Sequence, residues 1–180
     1  LVDYRQYLYV KPVSFAFRIY NYGMYGKGAE GGVLPEFYIG YPWLVRGYEN
    51  ISGSRYDNME KNTFDVAWLS GSKILVGNAE LRIPVTGPER YALIKSKYFL
   101  TEASLFFDSG LAWNSKNDIR FDINPVSAID NTDRYPVFST GISLRINVFG
   151  YMVIEPFYAF PLQNGGFSNG QFGLNFSPGW

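Results

Sequence analysis

Apolar and polar residues alternate with a period of two along most of this chain. In the closing strand (Gly166–Trp180), Phe172, Leu174, Phe176 and Trp180 share one parity, while Gln171, Gly173, Asn175 and Ser177 share the other. Such alternation gives a β-strand one apolar and one polar face. Six earlier segments read the same way. Asp3–Val10 is the least regular. Ser14–Tyr25 sets Phe15, Phe17 and Ile19 against Ser14, Ala16 and Arg18. Ser72–Val85 sets Leu75, Ala79, Leu81, Ile83 and Val85 against Asn78, Glu80 and Arg82. Thr101–Trp113 sets Leu105, Phe107, Leu111 and Trp113 against Glu102, Ser104 and Asp108. Val137–Val148 sets Phe138, Ile142, Leu144, Ile146 and Val148 against Ser139, Ser143, Arg145 and Asn147. Tyr151–Leu162 sets Ile154, Tyr158 and Phe160 against Glu155. Helix formers hold no 3.6-residue period, and Gly and Pro interrupt nearly every window. The expectation is an all-β fold of seven antiparallel strands.

Several of these strands are longer than the five or six residues usual in a sandwich. Long strands with one continuous apolar face suit a tilted membrane crossing, with the apolar parity on lipid and the polar parity on a lumen. A soluble sandwich would instead bathe the polar parity in water, and more Lys and Glu would be expected there than the Ser, Asn, Gly, Arg and Glu found. The connections differ in length. Lys11-Pro12 and Phe149-Gly150 are tight, Thr86–Lys97 is intermediate, and Gly26–Gly71 and Asn114–Pro136 are long. Tight and long connections fall on opposite ends of the sheet, as periplasmic turns and extracellular loops do. The intermediate Thr86–Lys97 connection and the brief Gln163–Gly165 connection fit that scheme less well. The C-terminus then lies on the periplasmic side.

Composition sharpens the picture. Aromatics make up 19% of the 180 residues and Gly accounts for 19, whereas charged residues are only 18% with zero formal net charge. That suits aromatic girdles and crowded strands, and argues against a nucleic-acid partner. No apolar run reaches the roughly 18–20 residues of a membrane helix, which says nothing against a barrel. Cys and His are both absent. Disulfides, thiolate chemistry and His-based acid–base work are therefore excluded, no metal or other cofactor is expected, and catalysis is not expected. The spacing of Asp57, Glu60 and Asp65 does not match a calcium loop. Asp118, Asp122, Asp130 and Asp133 read as solvated loop acids. Glu102, Glu155, Arg18 and Arg145 read as lumen lining, and Gly26–Gly32 as a flexible loop.

Three motifs follow one another in order: Leu44-Val45-Arg46-Gly47-Tyr48 in the longest connection, Asn78-Ala79-Glu80-Leu81-Arg82-Ile83-Pro84 in the next strand, and Phe106-Phe107-Asp108-Ser109-Gly110 in the strand after that. With the aromatic closing strand, this order resembles the barrel of the BamA/two-partner-secretion transporter superfamily, the bacterial surface antigen family, over nearly the whole chain. Ile83 stands where the family more often has phenylalanine. The Tyr-rich style around Ala16-Phe17-Arg18 and Ile39-Gly40-Tyr41 looks like barrels from the Bacteroidetes.

The resemblance implies the last seven strands of a sixteen-stranded transmembrane barrel. Residues 1–180 would be its C-terminal part, and residues 26–71 an extracellular loop folded back into the lumen. It implies that Arg46 engages Glu80 and Asp108, with Gly47 turning the chain beside the wall and Tyr48 packing on the lumen. Phe172, Leu174, Phe176 and Trp180 would form the closing-strand signal. Seven strands cannot close such a barrel, so earlier strands and periplasmic domains are expected partners, with outer-membrane lipid, client polypeptides and accessory periplasmic or lipoprotein subunits. The implied location is the bacterial outer membrane. The implied function is outer-membrane protein insertion or polypeptide translocation, with Gly166, Gly170, Gly173 and Gly179 leaving the closing strand pliable. The alternative is a barrel that anchors or exports an attached hydrolase or propeller domain.

Overall fold

In a computed structural model, residues 1–26, 28–31, 34–49, 64–87, 94–96, 99–122 and 132–178 are described. The chain opens with a hairpin of β1 (Val2–Val10) and β2 (Val13–Gly23). A long excursion follows. It contains β3 (Phe37–Tyr38), a 3₁₀ turn at Val66–Leu69 and β4 (Ser70–Gly71), with β3 and β4 paired to each other. Then come β5 (Lys73–Gly87), the short β6 (Ile94–Lys95), β7 (Phe99–Trp113), β8 (Val137–Val148), β9 (Met152–Pro161) and β10 (Gln171–Pro178). The main sheet runs β1-β2-β5-β7-β8-β9-β10, with every neighbour antiparallel along that path. β6 adds a short parallel pairing at the end of β5.

The period of two decides which way each side chain points. On the outer face Phe17, Ile19, Leu75, Leu105, Phe107, Ile142, Tyr158 and Phe172 are all exposed, each on the apolar parity of its strand. Ile142 and Leu144 face outward, while Ser139 and Ser143 on the opposite parity are buried. Leu111 departs from the expected pattern: it shares the parity of Leu105 and Phe107 but is buried. Pro156 lies in the middle of β9. Proline has no N–H to give a ladder, and the β8–β9 register passes from Ser143–Phe157 to Ile146–Ile154 without pairing between. The β8–β9 turn is tight because Phe149 and Gly150 both take positive φ, 51° and 81°, and Asn147 Oδ1 accepts the Gly150 N–H at 2.8 Å.

The main core lies on the inner face, toward the end of the long connections. Ile39, Leu44, Val45, Tyr48, Phe64, Trp68 and Leu69 from the excursion pack against Ile74, Val76, Ala112, Tyr135 and Val137 of the wall and its approaches. The excursion therefore folds back onto the sheet. Its apolar residues have no helix or strand period of their own because they bury themselves only by tertiary contact.

Candidate functional site

The tip of the excursion turns at Tyr41, whose carbonyl accepts the N–H groups of Leu44 and Val45 at 2.9 and 3.1 Å. Leu44 and Val45 sink into the core and carry Arg46 with them. Gly47 then reverses the chain at φ +87°. A Cβ at this position would lie 2.9 Å from the Ala159 Cβ. Glycine is required here twice over, by backbone conformation and by space.

Arg46 is 4% exposed. Its Nε and Nη2 fork onto Asp108 Oδ2 and Oδ1, both at 2.8 Å, and its own backbone N–H adds a third bond to Oδ2 at 3.2 Å. Nη2 also reaches Glu80 Oε1 at 2.9 Å, and Nη1 reaches Glu155 Oε1 at 2.8 Å. One guanidinium therefore joins β5, β7 and β9. The Phe106 ring lies under it, 3.7 Å from Cζ to the ring centroid. A lysine would supply one point charge with no planar fork, and could not match this pattern. Burial alone would lower the Arg46 pKa, but the charges of Asp108, Glu80 and Glu155 overcome it and the pKa is raised.

The carboxylates are themselves held. Asn78 Nδ2 donates to Asp108 Oδ1 and to the Leu44 carbonyl, both at 2.8 Å, so wall and loop share one amide. Ser143 Oγ donates to Glu155 Oε1 at 2.8 Å and lies 2.6 Å from Ser104 Oγ. Arg82 pairs with Glu80 at 2.7 Å. Arg145 stands further off, 3.8 Å from Glu80 and 3.6 Å from Glu155. Arg46 also borders a cavity of about 460 Å³ together with Arg5, Arg18, Arg82 and Arg145. Asp3 bridges Arg5 and Arg18 at 2.9 and 3.0 Å, and Arg18 also donates to the Trp43 carbonyl at 2.9 Å.

Tyr48 is fully buried, with its hydroxyl 2.8 Å from the Phe138 carbonyl and 3.0 Å from Gln163 Oε1. Glu49 Oε2 accepts the Gly47 N–H at 2.8 Å. Its Oε1 lies over Gly173 of β10 and has no hydrogen-bond partner among the described residues. Burial pushes the Glu49 pKa up. A second tether holds the start of the excursion. Glu30 Oε1 accepts from Ser115 N at 2.7 Å, Ser72 Oγ at 2.8 Å and Lys73 Nζ at 3.0 Å. Those donors, the Ser115 N–H foremost, hold its pKa down at about 2.

The structure thus brings Arg46, Gly47, Tyr48, Glu80 and Asp108 into one place. Phe172, Leu174 and Phe176 lie exposed on the outer face, and Trp180 lies outside the described residues. Three sequence readings change. Glu155, assigned only to lumen lining, is a direct partner of Arg46. Asp133, read as solvated, is buried and pairs with Arg120 at 2.9 Å. The Gly26–Gly32 stretch, read as flexible, carries the tethered Glu30. Asp118 and Asp122 are exposed as expected, Asp65 caps the 3₁₀ turn through Ala67 N at 2.9 Å, and Asp57, Glu60 and Asp130 lie outside the described residues. Sequence reasoning missed Phe106 and Asn78 as site residues. The usable signal for Glu155 was an acid alone among Val153, Phe157 and Ala159 on one parity of β9.

The sequence profile of the Omp85 superfamily domain matches residues 4–179. No curated protein and no solved structure matches the chain.

Proposed function

Because the chain belongs to the Omp85 superfamily, a superfamily of the bacterial outer membrane, we propose that it forms the C-terminal wall of an outer-membrane barrel that inserts outer-membrane proteins or translocates polypeptide. The observation that carries this reading is Arg46, buried and shared among acids of three wall strands. A loop held in this way occupies the lumen at rest and braces β5, β7 and β9 against one another. The closing strand β10 stays outside that brace except for Glu49 over Gly173 and a 3.3 Å bond from Asn175 to Glu155. A braced wall whose closing strand is held by its ladder with β9 and stands largely outside the brace suits a barrel that works at its seam.

The test is insertion by the full-length protein reconstituted in vesicles. A urea-denatured barrel client should fold faster there than in protein-free vesicles of the same lipid. If the reconstituted protein is itself folded and gives no acceleration of folding and no client passage, the insertase and translocator reading fails and the anchoring barrel replaces it.

A further inference from the structure

The outer face of the sheet is not uniform. A groove of about 580 Å³ crosses it, bordered by Ile83 of β5, Leu105 of β7, Ile142 and Leu144 of β8, Tyr158 of β9 and Phe172 of β10. Its floor has a local cause. Ile83, Ala103 and Leu144 are register partners across β5, β7 and β8, and Pro156 pairs with Leu174 across β9 and β10. Ala103 and Pro156 are the short side chains in this row. The adjoining row, Leu81, Leu105, Ile142, Tyr158 and Phe172, carries larger side chains, of which Leu105, Ile142, Tyr158 and Phe172 are exposed. Ala103 and Pro156 leave hollows on either side of Leu144, and the larger side chains of the adjoining row rise beside them, which makes a trough across the strands.

From this we infer that the trough is a binding site for one acyl chain of a phospholipid in the periplasmic leaflet. The inference rests on the membrane placement proposed above. Depth selects the leaflet. Ile83, Ala103, Leu144 and Pro156 each lie four residues from the end of their strand nearest the short connections. Four residues span about 13 Å of strand, or about 10 Å of depth at the usual tilt of roughly 40°. Short connections lie on the periplasmic side of such barrels. The trough thus lies toward the periplasmic side of an apolar band about 25 Å tall, with its long axis inclined by the strand tilt. Length agrees as well. From Ile83 on β5 to Phe172 on β10 the lining of the groove crosses four inter-strand spacings, about 19 Å, enough for a chain that normally crosses half of a hydrocarbon core about 30 Å thick. A phospholipid tail lying there fills a depression that annular lipid would otherwise have to bridge.

Photolabelling tests this. The full-length protein is reconstituted in phosphatidylethanolamine vesicles carrying a phosphatidylcholine with a mid-chain diazirine, irradiated and mapped by peptide mass spectrometry. Adducts on Ile83, Leu105, Leu144 and Pro156 should exceed those on Phe15 and Phe17, exposed outward residues of β2, by about fivefold, the scale of roughly ten additional close carbon–carbon contacts, because a tail in the bilayer is already out of water and gains only packing in the depression. Ala103→Phe, which fills the floor, should abolish that excess and leave β2 labelling unchanged. Ala103→Leu is the milder variant should the first not assemble. Equal labelling of the two regions in the wild type, or an excess that survives a filled floor in a folded variant, overturns the site while leaving the membrane placement intact. Absence of adducts on both regions overturns the membrane placement and the site together.

Discussion

Arg46→Met removes the guanidinium while keeping much of its length and apolar bulk. The consequence follows from who is left behind. Glu80 keeps Arg82 at 2.7 Å, and Glu155 has Arg145 close enough to approach from 3.6 Å. Asp108 is fully buried, and its remaining side-chain partner among the described residues is the Asn78 amide at 2.8 Å. One stranded buried carboxylate sets the scale, because stripping one partner from a buried pair costs about 3–5 kcal/mol. That is a shift of about one hundred- to a few thousand-fold in the seating of the loop. The chain has no cysteine, so a single Leu44→Cys, at a position 6% exposed, reports opening through its rate of maleimide labelling. Labelling should rise at least about a hundredfold when Arg46→Met is added. Adding Asp108→Asn to the pair should recover part of the protection, since the stranded charge is then gone. A rise of less than about fivefold, the scale of an exposed ion pair worth 0–1 kcal/mol, would refute the reasoning.

Four further outcomes are expected. Arg145→Met alone should change loop protection little, but combined with Arg46→Met it should cost about 0.5–3 kcal/mol beyond the sum of the two, measured by the same labelling, because neighbours sharing partners are non-additive. Gly47→Ala should weaken the seat by about 1–3 kcal/mol through its positive φ, with the Ala159 contact adding to it. Phe172→Lys should lower the heat-modifiable folded fraction on gels, since a lysine on the lipid face costs about 2–4 kcal/mol near mid-bilayer. Glu49 has a folded pKa raised by burial, so its seat is tightest below the unfolded carboxyl pKa and loosens as pH rises through the folded value. Leu44→Cys labelling should therefore speed up as pH rises across that window, after correction for thiol ionisation, and Glu49→Gln should remove this dependence.

The strands were legible because a wall with one apolar and one polar face imposes a period of two on the sequence. Val137–Val148 was read at its observed bounds, and the β1–β2 hairpin to within a residue at most ends. The closing strand was read too long, because Gly166–Ser168 forms a 3₁₀ turn before β10 begins. β3, β4 and the Val66–Leu69 turn left no mark in the pattern, since they are fixed by packing on the wall and not by local periodicity. In the site, Asp108 and Glu80 could be paired with Arg46 because all three stand in recognisable motifs. Glu155 could not, because it lies 109 residues from Arg46 and only the β7-β8-β9 pairing places it beside the loop. Phe106 was hidden because Phe106 and Phe107 occupy both parities in turn, and only the register shows which ring meets the guanidinium.

The central claim is that the Arg46 loop is seated on the inner face of the sheet against β9. Its most direct test is a cysteine pair, Gly47→Cys with Ala159→Cys, in the full-length protein in intact membranes. A Cβ built at Gly47 falls 2.9 Å from the Ala159 Cβ, within an ångström of disulfide spacing at about 3.5–4.5 Å. Mild oxidant should link the two positions and leave each single cysteine unlinked. A pair that stays reduced in folded protein, while Leu44→Cys in a chain that keeps Gly47 reacts readily with a membrane-impermeant maleimide, would place the loop outside and contradict the account.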